Sequence, residues 1–488
     1  MVAPEGWTVV RLADLAAAIQ YGYTASASAR NVGPRLVRIT DLQQGHVDWD
    51  SVPRCECDEP DDYALAAGDL LIARTGATTG KSYLVTSVPE PAVYASYLIR
   101  IKFFDQEVAR YVALFMRSES YWRQITILSK GTAQPGANAS VLANLQIPLP
   151  PPSEIGRIVR SLSGFLEMVK EARTQLAAIP TLIEQLSDSI LAAAFRGDLT
   201  AEWRKKNSDI ERARVETFRL RKKNGSRSAT AELRAAAIHF NCPSTWRQTA
   251  LGDIAELQPG YAFASASFKS TGVRLLRGTN LTPGSTRWEN VVRLDRDVAS
   301  EFSEYELRLG DIVVAMDRPI ISTGLKVARI ASDDLPALLL QRVGRFRTTP
   351  VVRPAFLYEY LQSKRFRDHI AGQATGTQLP HISATDVESC PFVLPSVPEQ
   401  DEILRALEKA RSEIKGAADV VELAAANLEE LERAILAKAF SGELVPQHPN
   451  DEPAAVLLER IRVQREVDSS RSRRRRWKPI SPPRRETN

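Results

Sequence analysis

The sequence predicts an α+β protein made by tandem duplication. Two mixed α/β domains are each followed by a long helix, and the two helices pair antiparallel as a coiled coil with pseudo-two-fold symmetry. Three observations lead there. One pattern of residues occurs twice, about 240 positions apart. Within each copy, short β-rich runs alternate with Gly/Pro turns. Each copy then closes with roughly 40 residues whose apolar positions recur at steps of three and four.

The repeat is explicit. Gly6-Trp7-Thr8-Val9-Val10-Arg11-Leu12-Ala13-Asp14 is matched by Thr245-Trp246-Arg247-Gln248-Thr249-Ala250-Leu251-Gly252-Asp253, 239 positions later. Arg38-Ile39-Thr40-Asp41-Leu42 returns as Arg277-Gly278-Thr279-Asn280-Leu281, and Gly68-Asp69-Leu70-Leu71-Ile72-Ala73 as Gly310-Asp311-Ile312-Val313-Val314-Ala315. Ile190-Leu191-Ala192-Ala193-Ala194-Phe195-Arg196-Gly197-Asp198-Leu199 returns as Ile435-Leu436-Ala437-Lys438-Ala439-Phe440-Ser441-Gly442-Glu443-Leu444, now 245 positions on. A few loop insertions explain the drift. A unit this long is too large for a solenoid repeat and implies two copies of one architecture.

In the globular part of the first copy, strands are expected at 36–40, 70–74, 82–86 and 98–103, and a helix at 107–127. The second copy places strands at 273–276, 312–315 and 327–330, and a helix at 354–370. Trp7 and Trp246 are expected to anchor the cores. The apolar stripe of the central helix is Ile155, Ile158, Leu162, Phe165, Val169, Ala172, Leu176, Ile179, Ile183, Leu186, Ile190 and Ala193. Its counterpart is Ile403, Leu407, Ala410, Ile414, Ala417, Val421, Ala424, Leu428, Leu431 and Ile435. Proline-rich stops precede both helices and Gly197 and Gly442 are placed to cap their ends. Pro180 should kink the first. The expected organisation is thus 1–152, first domain; 153–199, central coiled-coil helix; 200–242, basic connector; 243–397, second domain; 398–466, C-terminal coiled-coil helix and cap; and 467–488, basic disordered tail.

Composition narrows the function. The 488 residues are 44% hydrophobic and 25% charged, with net charge +5. The positive excess is local: 11 Lys/Arg against 5 Asp/Glu in 200–240, and 8 against 2 in 467–488. That excludes a uniformly basic nucleic-acid coat and leaves local basic faces. No run is long and apolar enough for a membrane span, and the start lacks the order of a signal peptide, so a cytoplasmic protein is expected. Cys55, Cys57, Cys242 and Cys390 fit neither a zinc site nor a disulfide framework, and the five histidines are scattered, so free thiols and no metal are expected.

Ala73-Arg74-Thr75-Gly76-Ala77-Thr78-Thr79-Gly80-Lys81-Ser82-Tyr83 looks like a phosphate-binding loop but fails its spacing. Only three residues separate Gly76 from Gly80, and a β-rich run follows where a helix is required. The second copy lacks the Gly-Lys-Ser triplet altogether. Loops that vary on a shared frame suit recognition better than hydrolysis. A helix of about 40 residues spans about 60 Å at 1.5 Å per residue. That is roughly 18 base pairs of B-DNA. Two unlike heads at such a separation could read two unlike half-sites across an unread gap.

The chain resembles the specificity (S) subunit of type I restriction–modification systems. The resemblance rests on Gly6-Trp7, on 37–45 (Val-Arg-Ile-Thr-Asp-Leu-Gln-Gln-Gly) and on 68–76 (Gly-Asp-Leu-Leu-Ile-Ala-Arg-Thr-Gly). It rests equally on 131–135 (Gly-Thr-Ala-Gln-Pro), on 147–154 (Ile-Pro-Leu-Pro-Pro-Pro-Ser-Glu), and on 194–204, which closes the first copy. Gly156-Arg157 and the loop Met316-Asp317-Arg318-Pro319 depart from the family pattern. The resemblance implies one target-recognition domain per half of a split, asymmetric site on double-stranded DNA. It also implies that the helices dock two methylase (M) subunits, and that restriction/translocase (R) subunits join them. This chain would hold no catalytic residue and no cofactor; S-adenosylmethionine, ATP and Mg would bind the partners.

Donors and acceptors on loops are the candidate DNA contacts. In the first domain these are Arg38, Thr40, Arg74, Thr75, Thr78, Lys81, Ser82, Lys130, Thr132, Gln134 and Asn138. In the second they are Arg277, Asn280, Arg318, Thr323, Lys326, Thr377, Gln378 and His381. Arg38, Thr40, Arg277 and Asn280 sit at a strand end, where internal hydrogen bonds are the alternative. A structural coiled-coil scaffold with two protein-binding heads shares the architecture and is the alternative function. Exchanging residues 1–150 for those of another family member is expected to alter one half of the methylated motif only, as read by methylation mapping.

Overall fold

In the computed structural model, residues 4–28, 32–43, 46–130, 136–207, 241–373 and 381–476 are described. They fall into two compact units, Met1–Ala177 with Glu422–Asn488, and Ala178–Val421. Each unit holds one globular part, the start of one long helix and the end of the other.

In the first unit, Thr8–Arg11 pairs antiparallel with Gln146–Leu149, so the globular part closes on itself just before the helix begins. Its main sheet is antiparallel, in the order Ala16–Tyr21, Leu98–Phe103, Leu70–Ala73, Ser82–Leu84. Leu70–Ala73 is covered on both faces, which is why it reads as an unbroken apolar run. Arg35–Val37 runs parallel to Ala92–Tyr94. The second unit repeats each pairing. Arg247–Ala250 meets Pro391–Leu394, and the sheet runs Ala255–Pro259, Val343–Thr348, Ile312–Ala315, Val327–Arg329. Val273–Leu276 lies parallel to Ala337–Leu339.

Each expected single helix is in fact two. Gln106–Phe115 and Glu119–Lys130 are separated at Ser118, and Pro354–Gln362 and Lys364–Gln373 at Ser363. The serine hydroxyls accept the N–H of Tyr121 and of Phe366, so each starts a new helix by capping it. Both sheets also carry a buried arginine on their second strand. Arg100 is 4% exposed and donates to Gln20 and to the carbonyls of Asp62 and Ala64. Arg345 is fully buried and donates to Gln258, Asp311 and the carbonyls of Glu304 and Glu306.

The long helices are Pro152–Arg196 and Val397–Ser441. In the first unit Ile155, Ile158, Leu162 and Val169 are buried, and the first three share a core with Leu436, Ala439 and Phe440. Arg173 meets Glu432 at 2.8 Å, so early positions of one helix face late positions of the other, antiparallel. In the second unit Leu191, Ala194 and Phe195 pack with Ile403 and Leu407. Leu176, Ile183, Ile190, Ile414, Val421, Leu428 and Ile435 are half-buried. Phe165, Leu186 and Leu431 depart from the expected seam, being 39%, 50% and 47% exposed. Leu166, Leu191, Ala194 and Leu436 are buried one position beyond expected stripe residues. An α-helix lags a strict heptad by about 20° per repeat, so late in each helix, at Leu191, Ala194 and Leu436, the covered face passes to the next residue; Leu166 is buried beside Leu162 and Val169 on one broad face. The helix continues unbroken through Pro180. Gly197 and Gly442 cap the two ends with φ of +83° and +80°.

Both expected anchors are buried and both are latched to the helix that follows. Trp7 Nε1 donates to Glu154 Oε2 at 3.0 Å, and Trp246 Nε1 to Glu399 Oε2 at 2.8 Å. Glu399 Oε1 also accepts from Thr200 and Arg204, in the segment that ends the central helix. Glu154 Oε1 has no partner among the described residues, and burial raises this carboxyl's pKa above its ordinary value. Residues 201–206 of the expected connector are helical, and 208–240 lie outside the described residues. Residues 467–476, expected to be tail, instead extend the helix Ala454–Arg476, while 477–488 lie outside the described residues. That helix buries Ala454, Leu457 and Ile461, and Arg465 donates to the carbonyls of Ala13, Asp14 and Ala16 at the end of the short helix Leu12–Leu15. Among the described residues, no helix is long and apolar enough to cross a membrane.

The two latches should respond differently to neutralisation. A carboxyl whose pKa is raised on folding stabilises the folded state most at low pH, and that contribution is lost as pH rises through the folded value. Glu154→Gln keeps the indole's acceptor and is expected to raise the melting temperature at pH 8, with the gain shrinking toward about pH 4. Glu399→Gln leaves Arg204 without its charge partner and is expected to cost about 1–3 kcal/mol. Thermal unfolding of both variants at pH 4 and pH 8 checks this.

Candidate nucleic-acid interface

At one end of the first unit's sheet, five segments are tied together through backbone groups. Ser96 N–H donates to Tyr23 O (2.8 Å), Ala95 N–H to Val37 O (2.9 Å), Arg74 N–H to Tyr97 O (3.0 Å) and Ala137 N–H to Arg74 O (3.0 Å). The second unit has the same four bonds at matching positions. They run from Gln341 to Tyr261 (2.9 Å), Leu340 to Leu276 (3.2 Å), Met316 to Arg342 (2.8 Å) and Ile382 to Met316 (2.9 Å). Each ladder makes a platform of loops on a rigid sheet.

One glycine in each platform permits the close approach. A Cβ on Gly22 would lie 2.2 Å from Ala95 O, and one on Gly260 would lie 2.3 Å from Leu340 O. Any other residue would push the ladder apart. The Gly22-Tyr23 and Gly260-Tyr261 doublets are a further element of the sequence repeat. They carry weight only once the partner backbone is in view.

The first platform gathers several expected contact residues. The Arg74 guanidinium lies over the Tyr21 ring, 5.0 Å from its centroid. Tyr21 Oη accepts the Ala139 N–H at 3.1 Å, and Asn138 caps the short helix Ala139–Ala143 by accepting the Val141 N–H. Arg38 is half-engaged: Nε and Nη2 bind both oxygens of Asp41 at 3.0 and 2.8 Å, while 40% of its side chain stays exposed. Thr40 and Lys81 are exposed, and Thr75, Thr78 and Ser82 half-buried. The glycine-rich stretch is a strand–turn–strand hairpin, from Leu70–Ala73 through the 3-10 turn Gly76–Thr78 to Ser82–Leu84. Tyr121 Oη pins it by donating to Gly80 O at 2.6 Å. Tyr97, 60% exposed on the platform, escaped the sequence reading because an isolated tyrosine carries no signal of its own. The side chain of Lys130, and Thr132 and Gln134 entirely, lie outside the described residues, as do Thr377 and Gln378.

The second platform corrects two expectations. Asn280 is 1% exposed; its Nδ2 donates to Arg287 O and Glu289 O and its Oδ1 accepts the Arg277 N–H. It braces a turn and offers nothing to a ligand. Lys326 is 7% exposed, and its Nζ donates to Gly278 O and Asp317 O, each at 3.1 Å. It joins two loops from beneath, and burial lowers its ammonium pKa. Arg277 reaches back to Asn290 O at 2.5 Å. Arg318, Thr323 and His381 are exposed, and the backbone of His381 pairs with Asp317. Arg318 has φ of +45°, at the position where the first unit has Gly76 with φ of +74°. Among the described residues, no group of three or more His, Cys, Asp or Glu could hold a metal ion.

The family model for the type I restriction modification DNA specificity domain matches residues 4–180 and again 243–418, once over each platform. The chain belongs to that family. It is 24% identical over 453 residues to the type I restriction enzyme MjaVIII specificity subunit of Methanocaldococcus jannaschii, covering 88% of this chain and 90% of that one. It is 43% identical over 172 residues to the EcoAI specificity subunit of Escherichia coli, a match spanning 35% of this chain and only 29% of that subunit. The fold is shared with the crystal structure of the HsdS subunit from Thermoanaerobacter tengcongensis, at 19% identity and a TM-score of 0.54 over 91% of this chain and 98% of the other. A chain from a structure of type I R-M system assembly and conformational transition superposes with a TM-score of 0.61 at 18% identity, over 91% of this chain and all of that one.

Within this specificity-family fold, the two lysines should separate by role. Lys326→Ala strips two buried carbonyls of their donor and is expected to cost about 1–3 kcal/mol in urea unfolding. Lys81→Ala is expected to leave stability unchanged and to reduce the salt slope of DNA binding by about one. Denaturation curves and binding titrations over a salt series check both.

Proposed function

We propose that the chain is the non-catalytic DNA-recognition subunit of a type I restriction–modification complex. It binds a bipartite, asymmetric site on double-stranded DNA in the cytoplasm. Each platform serves one half-site. The observation that carries this reading is one backbone framework built twice with different side chains on it: Arg74, Tyr97 and Asn138 in one unit, Asp317, Arg342 and His381 in the other. A shared frame suits a shared ligand, and unlike side chains suit unlike sequences, since base edges are told apart by hydrogen-bond donors, acceptors and apolar contacts.

The long helices scaffold two methylase subunits, and restriction subunits join the assembly. S-adenosylmethionine, ATP and Mg belong to those partners. In support, the exposed Phe165, Leu186 and Leu431 leave apolar side chains of the helices available to a partner.

Methylation mapping of the genome, with and without the gene, tests the proposal. A split adenine-methylated motif that disappears on deletion is the expected result. Unchanged methylation, with the partner methylase expressed and folded, would overturn it.

A further inference from the structure

One arginine of the second platform has no explanation in folding. Arg342 is the third residue of a tight turn closed by the Val343 N–H to Leu340 O bond at 3.2 Å. Its φ is +70°, a conformation that favours glycine. Its side chain is 58% exposed, and Nη1 lies 3.7 Å from Oδ1 of Asp317, itself 45% exposed. A surface pair of this kind contributes little to stability. Left-handed backbone at a non-glycine residue is unfavourable, and such outliers gather at functional sites.

Both members of the pair are nevertheless held in place. The Arg342 carbonyl accepts the Met316 N–H at 2.8 Å. The Asp317 carbonyl accepts from the buried Lys326 ammonium, and its backbone pairs with His381. An exposed guanidinium thus stands on an anchored turn beside an anchored carboxylate. The first unit has a turn at the same place, closed by Leu98 N–H to Ala95 O at 2.8 Å, with exposed Tyr97 in the slot of Arg342 but without its positive φ. One backbone slot, central to each ladder, therefore presents two different side chains.

We propose that Arg342, oriented by Asp317, reads a guanine in the major groove of the half-site bound by the second unit. The planar fork of arginine matches guanine O6 and N7, and the Asp317 carboxylate, 3.7 Å from Nη1, draws the guanidinium to its side by charge and so favours one rotamer. Asp317 is a positioning residue in this scheme. The inference deepens the DNA-recognition reading above and rests on it.

The test is motif mapping with the full-length chain and its methylase partner, comparing the unaltered protein with Arg342→Gly and Arg342→Lys. Glycine relieves the left-handed backbone, so Arg342→Gly should melt no lower than the unaltered protein. One G·C position, in one half of the motif only, should become degenerate, with about 5- to 150-fold of discrimination lost. Arg342→Lys should relax the same position, because an ammonium cannot fork. A folded Arg342→Gly protein with an unchanged motif would overturn the proposal. So would an Arg342→Lys protein with the original motif and affinity, since a point charge suffices only for a phosphate. If the unaltered protein directs no motif at all, the DNA-recognition reading fails first and this inference falls with it.

Discussion

An indole N–H bound to a buried carboxylate is the joint on which each unit is organised. Trp7 to Glu154 and Trp246 to Glu399 tie the start of a globular part to the first turn of the helix that leaves it. Both ends of each globular part are thereby held at one place, beside the antiparallel pair that closes it. The same joint receives the end of the other long helix. In the second unit this is direct, because Thr200 and Arg204 bind the same glutamate. In the first unit the described residues of the returning segment supply no such donor to Glu154, and Arg157 with Asp451 forms the link beside it.

From that joint the core builds outward to the platforms. The covered strands Leu70–Ala73 and Ile312–Ala315 carry the loops that begin at Arg74 and Met316. Arg100 and Arg345 lie on the neighbouring strands and bind carbonyls of the segments around Asp62 and Glu304. A buried guanidinium needs acceptors around it, so these two favour one arrangement of the loops above them, although Arg345 Nε has no acceptor among the described residues. Side chains used for reading bases work best on loops whose backbone has nowhere else to go. The four backbone bonds of each platform meet that requirement without using any side chain, which leaves the side chains free to differ.

The two platforms show what such freedom permits. Gly76 and Arg318 share a left-handed position, as Tyr97 and Arg342 share a turn. A lysine has also moved inward in the second copy, from exposed Lys81 to buried Lys326. Lys326 joins two loops from below, and Asn280 braces a turn that Asp41 braces in the first. Side chains of one chemical type therefore serve as surface or as framework according to the bonds around them.

The duplication, the helices and their antiparallel fit were legible in the sequence because each is local or repeated. Apolar spacing of three and four is a property of one helix, and a repeat requires only comparison of the chain with itself. The platforms were legible in part. Arg74 and Asn138, singled out because arginine and asparagine on turns carry chemistry wherever they sit, do lie on the first platform. Tyr97 and Arg342 gave no signal, Lys326, expected on the surface, is buried, and for Asn280 the internal hydrogen bonds are the alternative realised, because exposure is set by segments far away in sequence. Glycines 22 and 260 make the same point: nothing nearby shows that a carbonyl some 70 to 80 residues away would collide with a Cβ. The pattern of elements follows from short-range periodicity, which the sequence carries openly. Which polar groups face outward is decided by long-range backbone pairing, and that exists only in the folded chain.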